Sequence, residues 1–235
     1  MAVAASFLVT CEHGGNRIPA PYRTLLRGHA ALLDTHRGYD PGALVMAREL
    51  AKALHAPLVT STVSRLLVDL NRSIGHPQLF SATTRGAPST VREGIVARHY
   101  LPYRAQVERL VGRSVARGRR VIHISSHSFT PVLHGNVRRA DVGLLYHPGR
   151  RGEVHLCARW KAALANMAPE LRVRRNYPYA GKGDGLTCHL RKHFSPSVYV
   201  GIELEVNQKI VFAAGRRWTA LRGVLIDSLL AAHAA

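Results

Sequence analysis

Ser197-Val198-Tyr199-Val200-Gly201-Ile202-Glu203-Leu204-Glu205-Val206 reads as one β-strand, apolar without alternation until two carboxylates break in near its end. A strand that is apolar on both faces belongs to a sheet covered on both sides, as in α/β domains. Glu203 and Glu205 lie two positions apart and so project to the same side of the strand. A buried carboxylate requires a partner or a task. The end of this strand, with Asn207-Gln208 behind it, therefore marks a candidate site. Ligands of open α/β sheets collect beyond the carboxyl ends of the strands.

Further strand candidates are Ala5–Cys11, Pro57–Val63, Leu66–Leu70, Arg120–Ser125 and Val142–Tyr146. Helical patterns alternate with them, which predicts an α/β fold. Asp40-Pro41 opens one helix, Asp as N-cap and Pro as first residue, with Leu44, Ala47, Ala51 and Leu54 as its apolar face. Pro102 opens another, with Val107, Leu110, Val111 and Val115 inward and Gly118 as its stop. A third runs through Trp218, Leu221, Leu225 and Leu229 toward the C-terminus. His76–Glu93, rich in Pro, Gly, Ser and Thr, reads as a long loop.

The 235 residues, 46% hydrophobic and 20% charged, suit one globular domain over residues 1–235 with a core of its own. Met1–Thr10 is apolar but lacks a cationic start, and reads as a first buried strand rather than an export signal. No apolar run reaches the ~20 residues of a membrane span. Three cysteines without a CxxC pair argue against a disulfide framework and for a reducing cytoplasm. The formal net charge is +19, spread in doublets such as Arg119-Arg120, Arg138-Arg139 and Arg174-Arg175. A nucleic-acid footprint would gather that charge in a tail or stripe, so a solvated basic surface is expected instead.

Polar residues cluster where core strands end. Cys11-Glu12-His13-Gly14-Gly15-Asn16 follows the first strand, and Asp34-Thr35-His36-Arg37-Gly38-Tyr39-Asp40 precedes the first helix. Asp40 is occupied as the helix cap in this reading, whereas His36 has no such task, which favours His36 as a metal ligand with Asp34 and Asp40 behind it. Ser64-Arg65 and Asp69-Leu70-Asn71-Arg72 are too polar for a simple strand end. A guanidinium beside a carboxamide suits capture of a carboxylate; a surface ion pair between Asp69 and an arginine is the alternative. His123 and His127 share one side of their strand, His123 within the apolar run as a core residue and His127 at the end where a site would be. Three histidines from separate segments, His13, His36 and His127, make an open zinc site, with a carboxylate nearby as general base and acid.

Taken together, His13-Gly14-Gly15-Asn16 with Pro19, His36 with Asp40-Pro41-Gly42-Ala43, Ser64-Arg65 with Asp69-Leu70-Asn71-Arg72, Ser126-His127-Ser128-Phe129-Thr130-Pro131 and Glu203-Leu204-Glu205-Val206-Asn207-Gln208 resemble the N-formylglutamate amidohydrolase family. Asn176-Tyr177-Pro178-Tyr179-Ala180-Gly181 is similar to its N-x-P-Y-x-G loop, and the resemblance covers nearly the whole chain. The family is similar in fold to zinc carboxypeptidases and aspartoacylase-like deacylases. That implies a three-layer α/β sandwich on a mixed, mainly parallel sheet of the phosphorylase/hydrolase-like kind. Those relatives bring two zinc ligands as H-x-x-E, but Asn16 stands at the last position here. The second ligand is then expected from His36, with Asp40 the alternative.

The resemblance further implies one Zn²⁺ per chain and a small anionic acyl amino acid as substrate. Glu205 is its expected general base and acid, since the family's E-x-N-Q pattern falls on Glu205-Val206-Asn207-Gln208. Glu203 is expected to pair with an arginine or to support a ligand histidine. Asn71 and Arg72 would grip the substrate carboxylate, and Arg65 would assist them or polarise the scissile carbonyl. Tyr179 and Lys182 lie in a Gly-rich loop that reads first as a plain surface loop, closure over the site being the functional alternative. The expected reaction converts N-formyl-L-glutamate to formate and glutamate; another deacylase or a carboxypeptidase-like amidase is the alternative, and a basic nucleic-acid-binding protein is the alternative of another class.

Overall fold

The computed structural model describes residues 5–213 and 215–234, so Met1–Ala4 of the apolar N-terminal stretch lie outside the described residues. Its strands are β1 (Ala5–Cys11), β2 (Leu58–Thr60), β3 (Arg120–Phe129), β4 (Val132–Leu133), β5 (Asn136–Val137), β6 (Val142–Leu145), β7 (Val173–Arg175) and β8 (Tyr199–Asn207). The β4–β5 pair is a small antiparallel hairpin, and the other six form a sheet ordered β2-β1-β3-β8-β6-β7. Pairing is parallel throughout that sheet except between β6 and β8. The sheet is mixed and mainly parallel, as the resemblance implied.

The helices are α1 (Ala43–Ala53), α2 (Ala82–Arg85), α3 (Ser89–Ile95), α4 (Leu101–Ala116), α5 (Arg151–Met167), α6 (Leu186–His193), α7 (Gln208–Phe212) and α8 (Gly215–Ala234). Alternation along the strands feeds two cores. Val9, Ile122 and Val200 pack with α1, α5 and α8 on one face of the sheet. Leu8, Val121 and Tyr199 pack with α4, α6 and Leu66–Leu70 on the other. Helices on both faces make three layers. Trp160 illustrates the first core: it is fully buried, and its indole nitrogen donates to Ser228 Oγ at 3.0 Å, as a buried Trp needs.

The structure departs from the sequence reading in the segments around Leu66–Leu70, Asp40-Pro41 and His76–Glu93, among others. Leu66–Leu70 is buried but turns rather than extends: Leu67 N bonds Ser64 O, and Asp69 N bonds Leu79 O. A short apolar run has no periodicity to separate a strand from a buried turn. The helix expected from Asp40-Pro41 starts at Ala43, with Gly42 at φ 81° as its N-cap and no side-chain cap bond. The loop over His76–Glu93 contains α2 and the start of α3. The other two helices stand as read: α4 carries Pro102 in its first turn, and Trp218, Leu221, Leu225 and Leu229 of α8 are buried. No helix among the described residues is long and apolar enough to cross a membrane.

Candidate active site

The parallel strands β1, β3 and β8 end together, and His127 lies opposite Glu205 in the β3–β8 ladder. Because β6 runs the other way, Gly143 near its start sits on the far side of Glu205. Beyond these strand ends is a cavity of about 310 Å³, lined among others by His13, Asp40, Arg65, Asn71, Arg72, His127, Tyr179, Glu203 and Glu205.

His13 enters from the turn after β1. A Cβ at Gly14 would lie 2.9 Å from Ser61 O, and one at Gly15 2.8 Å from Thr62 O. Only glycine lets this turn lie so close to the neighbouring backbone. Asp40 is held in front of it by its own N–H, which donates to His13 O at 2.9 Å. Ser128 Oγ donates to Pro41 O at 2.7 Å and Ser126 Oγ to Ala43 O at 3.0 Å, which fasten the start of α1 to β3. With Gly42 capping the helix, the Asp40 side chain turns to the site.

There Asp40 Oδ2 lies 3.3 Å from His13 Nδ1 and 3.0 Å from His127 Nδ1. The outer nitrogens are also met by acids: His13 Nε2 is 2.7 Å from Asp69 Oδ1, and His127 Nε2 is 3.0 Å from Glu12 Oε2. His13, Asp40 and His127 each offer a donor atom within 4.8 Å of the other two, and all three residues are buried. Two imidazoles oriented by outer carboxylates, converging on a third carboxylate, form a donor set that fits a metal ion. His36 is exposed and outside this group, in which Asp40 is the third member. Asn16 also turns away, its amide donating to Asp34 Oδ1 at 2.9 Å.

Charge is balanced by contact. Burial opposes ionisation of Asp40, but the His13 charge, hydrogen bonds from both histidines and nearby Arg65 hold its carboxyl far below the usual range. Burial likewise opposes the charge of Glu12, and the bond and charge of His127 outweigh it. Burial would lower His127, yet its bonds to Asp40 and Glu12 hold its pKa well above the ordinary imidazole value. Glu205 has no such partner. Burial, with Asp40 and Glu203 nearby, pushes its carboxyl up to about 8 against the pull of His127 and Arg65. Its Oε2 is buried without a hydrogen bond among the described residues.

Arg65 bridges two of the acids, Nη1 to Asp40 Oδ1 at 3.2 Å and Nη2 to Asp69 Oδ2 at 2.9 Å. The Asp69–arginine pair weighed as a surface contact is thus largely buried. Asn71 Oδ1 accepts from Leu186 N at 2.7 Å, and Arg72 Nη1 donates to Asp184 O at 3.0 Å. Tyr179 stands on the cavity wall, its hydroxyl accepting from Arg138 Nη1 at 3.1 Å. Lys182 is exposed and does not line the cavity. Glu203 Oε1 accepts from Thr187 Oγ1 at 2.5 Å, so a threonine takes the place of the expected arginine or histidine partner. His123 is the satisfied core residue it was read to be, between Thr10 Oγ1 at 2.8 Å and Tyr199 OH at 2.7 Å.

Sequence reasoning gave no role to Glu12, which is buried and bonded to His127, Ser125 and Tyr103. Its place between a strand end and His13 is a signal that could have found it. Asp184 was missed as well; its carboxylate takes Ser73 N at 2.9 Å and Ser73 Oγ at 2.5 Å.

The chain matches the N-formylglutamate amidohydrolase family model over residues 5–212. It is similar to the crystal structure of a gene product from Agrobacterium tumefaciens, with 31% identity, a TM-score of 0.84, and 99% of this chain and 92% of that one covered. The crystal structure of N-formylglutamate amidohydrolase from Ralstonia eutropha JMP134 shares the fold at 18% identity and a TM-score of 0.72, with 99% and 94% covered. No curated protein matches the chain. A family match across nearly the whole length, over a site with this donor set, carries the conclusion: the chain belongs to the N-formylglutamate amidohydrolase family and is an amide-hydrolysing enzyme.

Proposed function

We propose that the chain hydrolyses the amide bond of an N-acylated acidic amino acid, N-formyl-L-glutamate foremost, giving formate and glutamate. The observation that carries this reading is the meeting of a His13–Asp40–His127 donor set, an unpartnered Glu205 oxygen and two arginines in one cavity. His13, Asp40 and His127 would hold one Zn²⁺ per chain. When bound, zinc supplies Lewis acidity toward a carbonyl oxygen and makes water more acidic.

The remaining work falls to the chain's own groups. Glu205 takes a proton from the attacking water and delivers it to the departing amine nitrogen, so that C–O forms and C–N breaks with the proton conserved. Asn71 and Arg72 orient the substrate carboxylate; Arg72 is steadied through one nitrogen on Asp184 O. Arg65, committed to Asp40 and Asp69, acts as a positioning residue for the donor set. Tyr179 covers the mouth from the 176–181 loop. A cavity of about 310 Å³ is at the small end of ligand sites, which favours an acyl amino acid over a peptide. Three unpaired cysteines, two of them buried, support action in a reducing compartment, the cytoplasm.

The test is product analysis with zinc-loaded protein on N-formylglutamate, N-acetylglutamate and short peptides with a carboxy-terminal Glu. Stoichiometric formate and glutamate are expected from the first. Cleavage of the peptides with no formate from N-formylglutamate would move the enzyme to carboxypeptidase-like chemistry.

A further inference from the structure

A second group of metal-capable side chains lies outside the cavity, on the outer surface where α4 meets α6. His189 and His193 stand four residues apart on α6 and so share one face of the helix. Their rings lie 4.6 Å apart between centroids, tilted by 51°. Glu108 on α4 reaches across, its Oε1 in contact with His189 Nε2. One donor atom from each of the three lies within 4.8 Å of the other two. His193 is exposed, and the other two are half-buried. A cleft of about 440 Å³, lined in part by Ser73, Tyr100, Glu108 and His189, opens beside them to solvent.

We propose that Glu108, His189 and His193 form a second binding site, for a borderline divalent transition-metal ion such as Zn²⁺ or Ni²⁺. Two imidazoles and one carboxylate select this class. Mg²⁺ and Ca²⁺ call for oxygen ligands throughout. Arg104 and Lys192 line the same cleft; Arg104 is drawn inward, its Nη1 donating to Leu70 O at 3.0 Å and its guanidinium 5.4 Å over the Tyr100 ring, and Lys192 is exposed. The plain alternative is a surface His189–Glu108 pair with His193 idle beside it. The i, i+4 histidine pair aimed at one carboxylate on a second helix is what that alternative leaves unexplained.

The position of the site gives it a consequence. Arg104 on α4 holds Leu70 O, and Tyr100, just before α4, donates to Arg72 O at 2.7 Å. On the other side, Leu186 N at the start of α6 holds Asn71 Oδ1, and Arg72 is bonded to Asp184 O just ahead of it. An ion joining α4 to α6 therefore ties together the two elements that flank Asn71-Arg72. It would stiffen the 181–186 segment beside the cavity without touching it.

The experiment is equilibrium dialysis of metal-stripped protein against zinc, with nickel and magnesium in parallel, read as bound equivalents per chain. His193→Gln, Glu108→Gln and the double variant His189→Gln/His193→Gln are compared with the parent. Circular dichroism checks folding, and His193, being exposed, should tolerate change. The parent should bind one equivalent of zinc more than the double variant, and no matching equivalent of magnesium. His193→Gln should weaken that equivalent at least ten-fold, and Glu108→Gln should weaken it also. Backbone hydrogen exchange over 181–186 should slow with zinc in the parent and not in the double variant. His13→Ala should keep this equivalent, which separates it from the cavity site. Equal zinc uptake and equal affinity in the parent and the double variant would overturn the proposal.

Discussion

In the proposed reaction Arg72 sets one side chain against one substrate group. A fork of parallel N–H bonds suits a carboxylate in a way that a lysine ammonium cannot copy. Arg72→Lys should therefore cost about 1.5–3 kcal/mol in kcat/KM on acidic substrates, the range of charge-assisted hydrogen bonds, with metal content unchanged. An equal loss on an uncharged amide would assign Arg72 to the reaction centre or the fold. Asp40 and His36 offer a sharper contrast. Asp40→Asn should lose most bound zinc while His36→Ala keeps it, by elemental analysis of purified protein; a zinc-free His36→Ala would restore the histidine. His13, His127, Asn71, Arg72 and Glu205 were legible as residues beside the site, because polar groups at the ends of apolar strands have little other reason to be there, whereas Tyr179 was reached only through the resemblance of its loop. Asp40 was legible as a ligand only in second place, behind His36. Its Asp-Pro context states a helix cap, and only the left-handed Gly42 moves the cap two residues on and releases the carboxylate.

At the scale of elements, β6 and the loop that covers it fit without clearance. A Cβ on Gly143 would meet Tyr177 O at 1.9 Å, and one on Gly181 would meet Tyr146 N at 2.1 Å. Both glycines let the 176–181 loop lie flat on the strand and bring Tyr179 to the cavity. Gly143→Ala must push that loop away, and overpacking of this kind costs about 1–3 kcal/mol. Urea unfolding should show it as a lower midpoint with unchanged slope, and activity should fall further than the population of folded protein. Unchanged stability would mean that the loop moves freely. Much of the element plan was readable from period and punctuation. The α5 helix went unread although Glu153, Leu156, Cys157, Trp160 and Leu164 repeat at helical spacing and are all buried. Leu66–Leu70 was misread for a different reason. Its side chains are as buried as those of a strand, and its turn is fixed by partners remote in sequence, such as Leu79 O for Asp69 N.

Across the whole molecule the charge of +19 coexists with a cavity wall that contains several carboxylates, Asp40, Asp184, Glu203 and Glu205 among them. Retention on DNA should be weak and should collapse between low and physiological salt, as counterion release requires of phosphate contacts. Tight binding that survives salt would point to a built nucleic-acid surface. The three-layer, mixed-sheet architecture came from the family resemblance, since local pattern fixes neither strand order nor the reversal of β6. That reversal is a long-range property.

The β3–β8 ladder also carries the site's dimensions. His127 and Glu205 face each other across one strand spacing, about 4.8 Å, and the next pair down on that side, Ser125 and Glu203, repeats it. The sheet thus works as a ruler with marks two residues, or roughly 6.6 Å, apart, and the acid at the second mark cannot serve the first. Glu205→Gln should accordingly keep its zinc and lose about 10²–10⁴-fold in kcat, with Glu203 intact yet unable to rescue it. Glu203→Gln should cost less activity and more thermal stability, and a reversal of the two phenotypes would shift the reacting centre down to the second mark. Because the spacing is written in backbone hydrogen bonds, side-chain changes around the cavity can reshape it while the separation of the His127 and Glu205 backbones stays fixed.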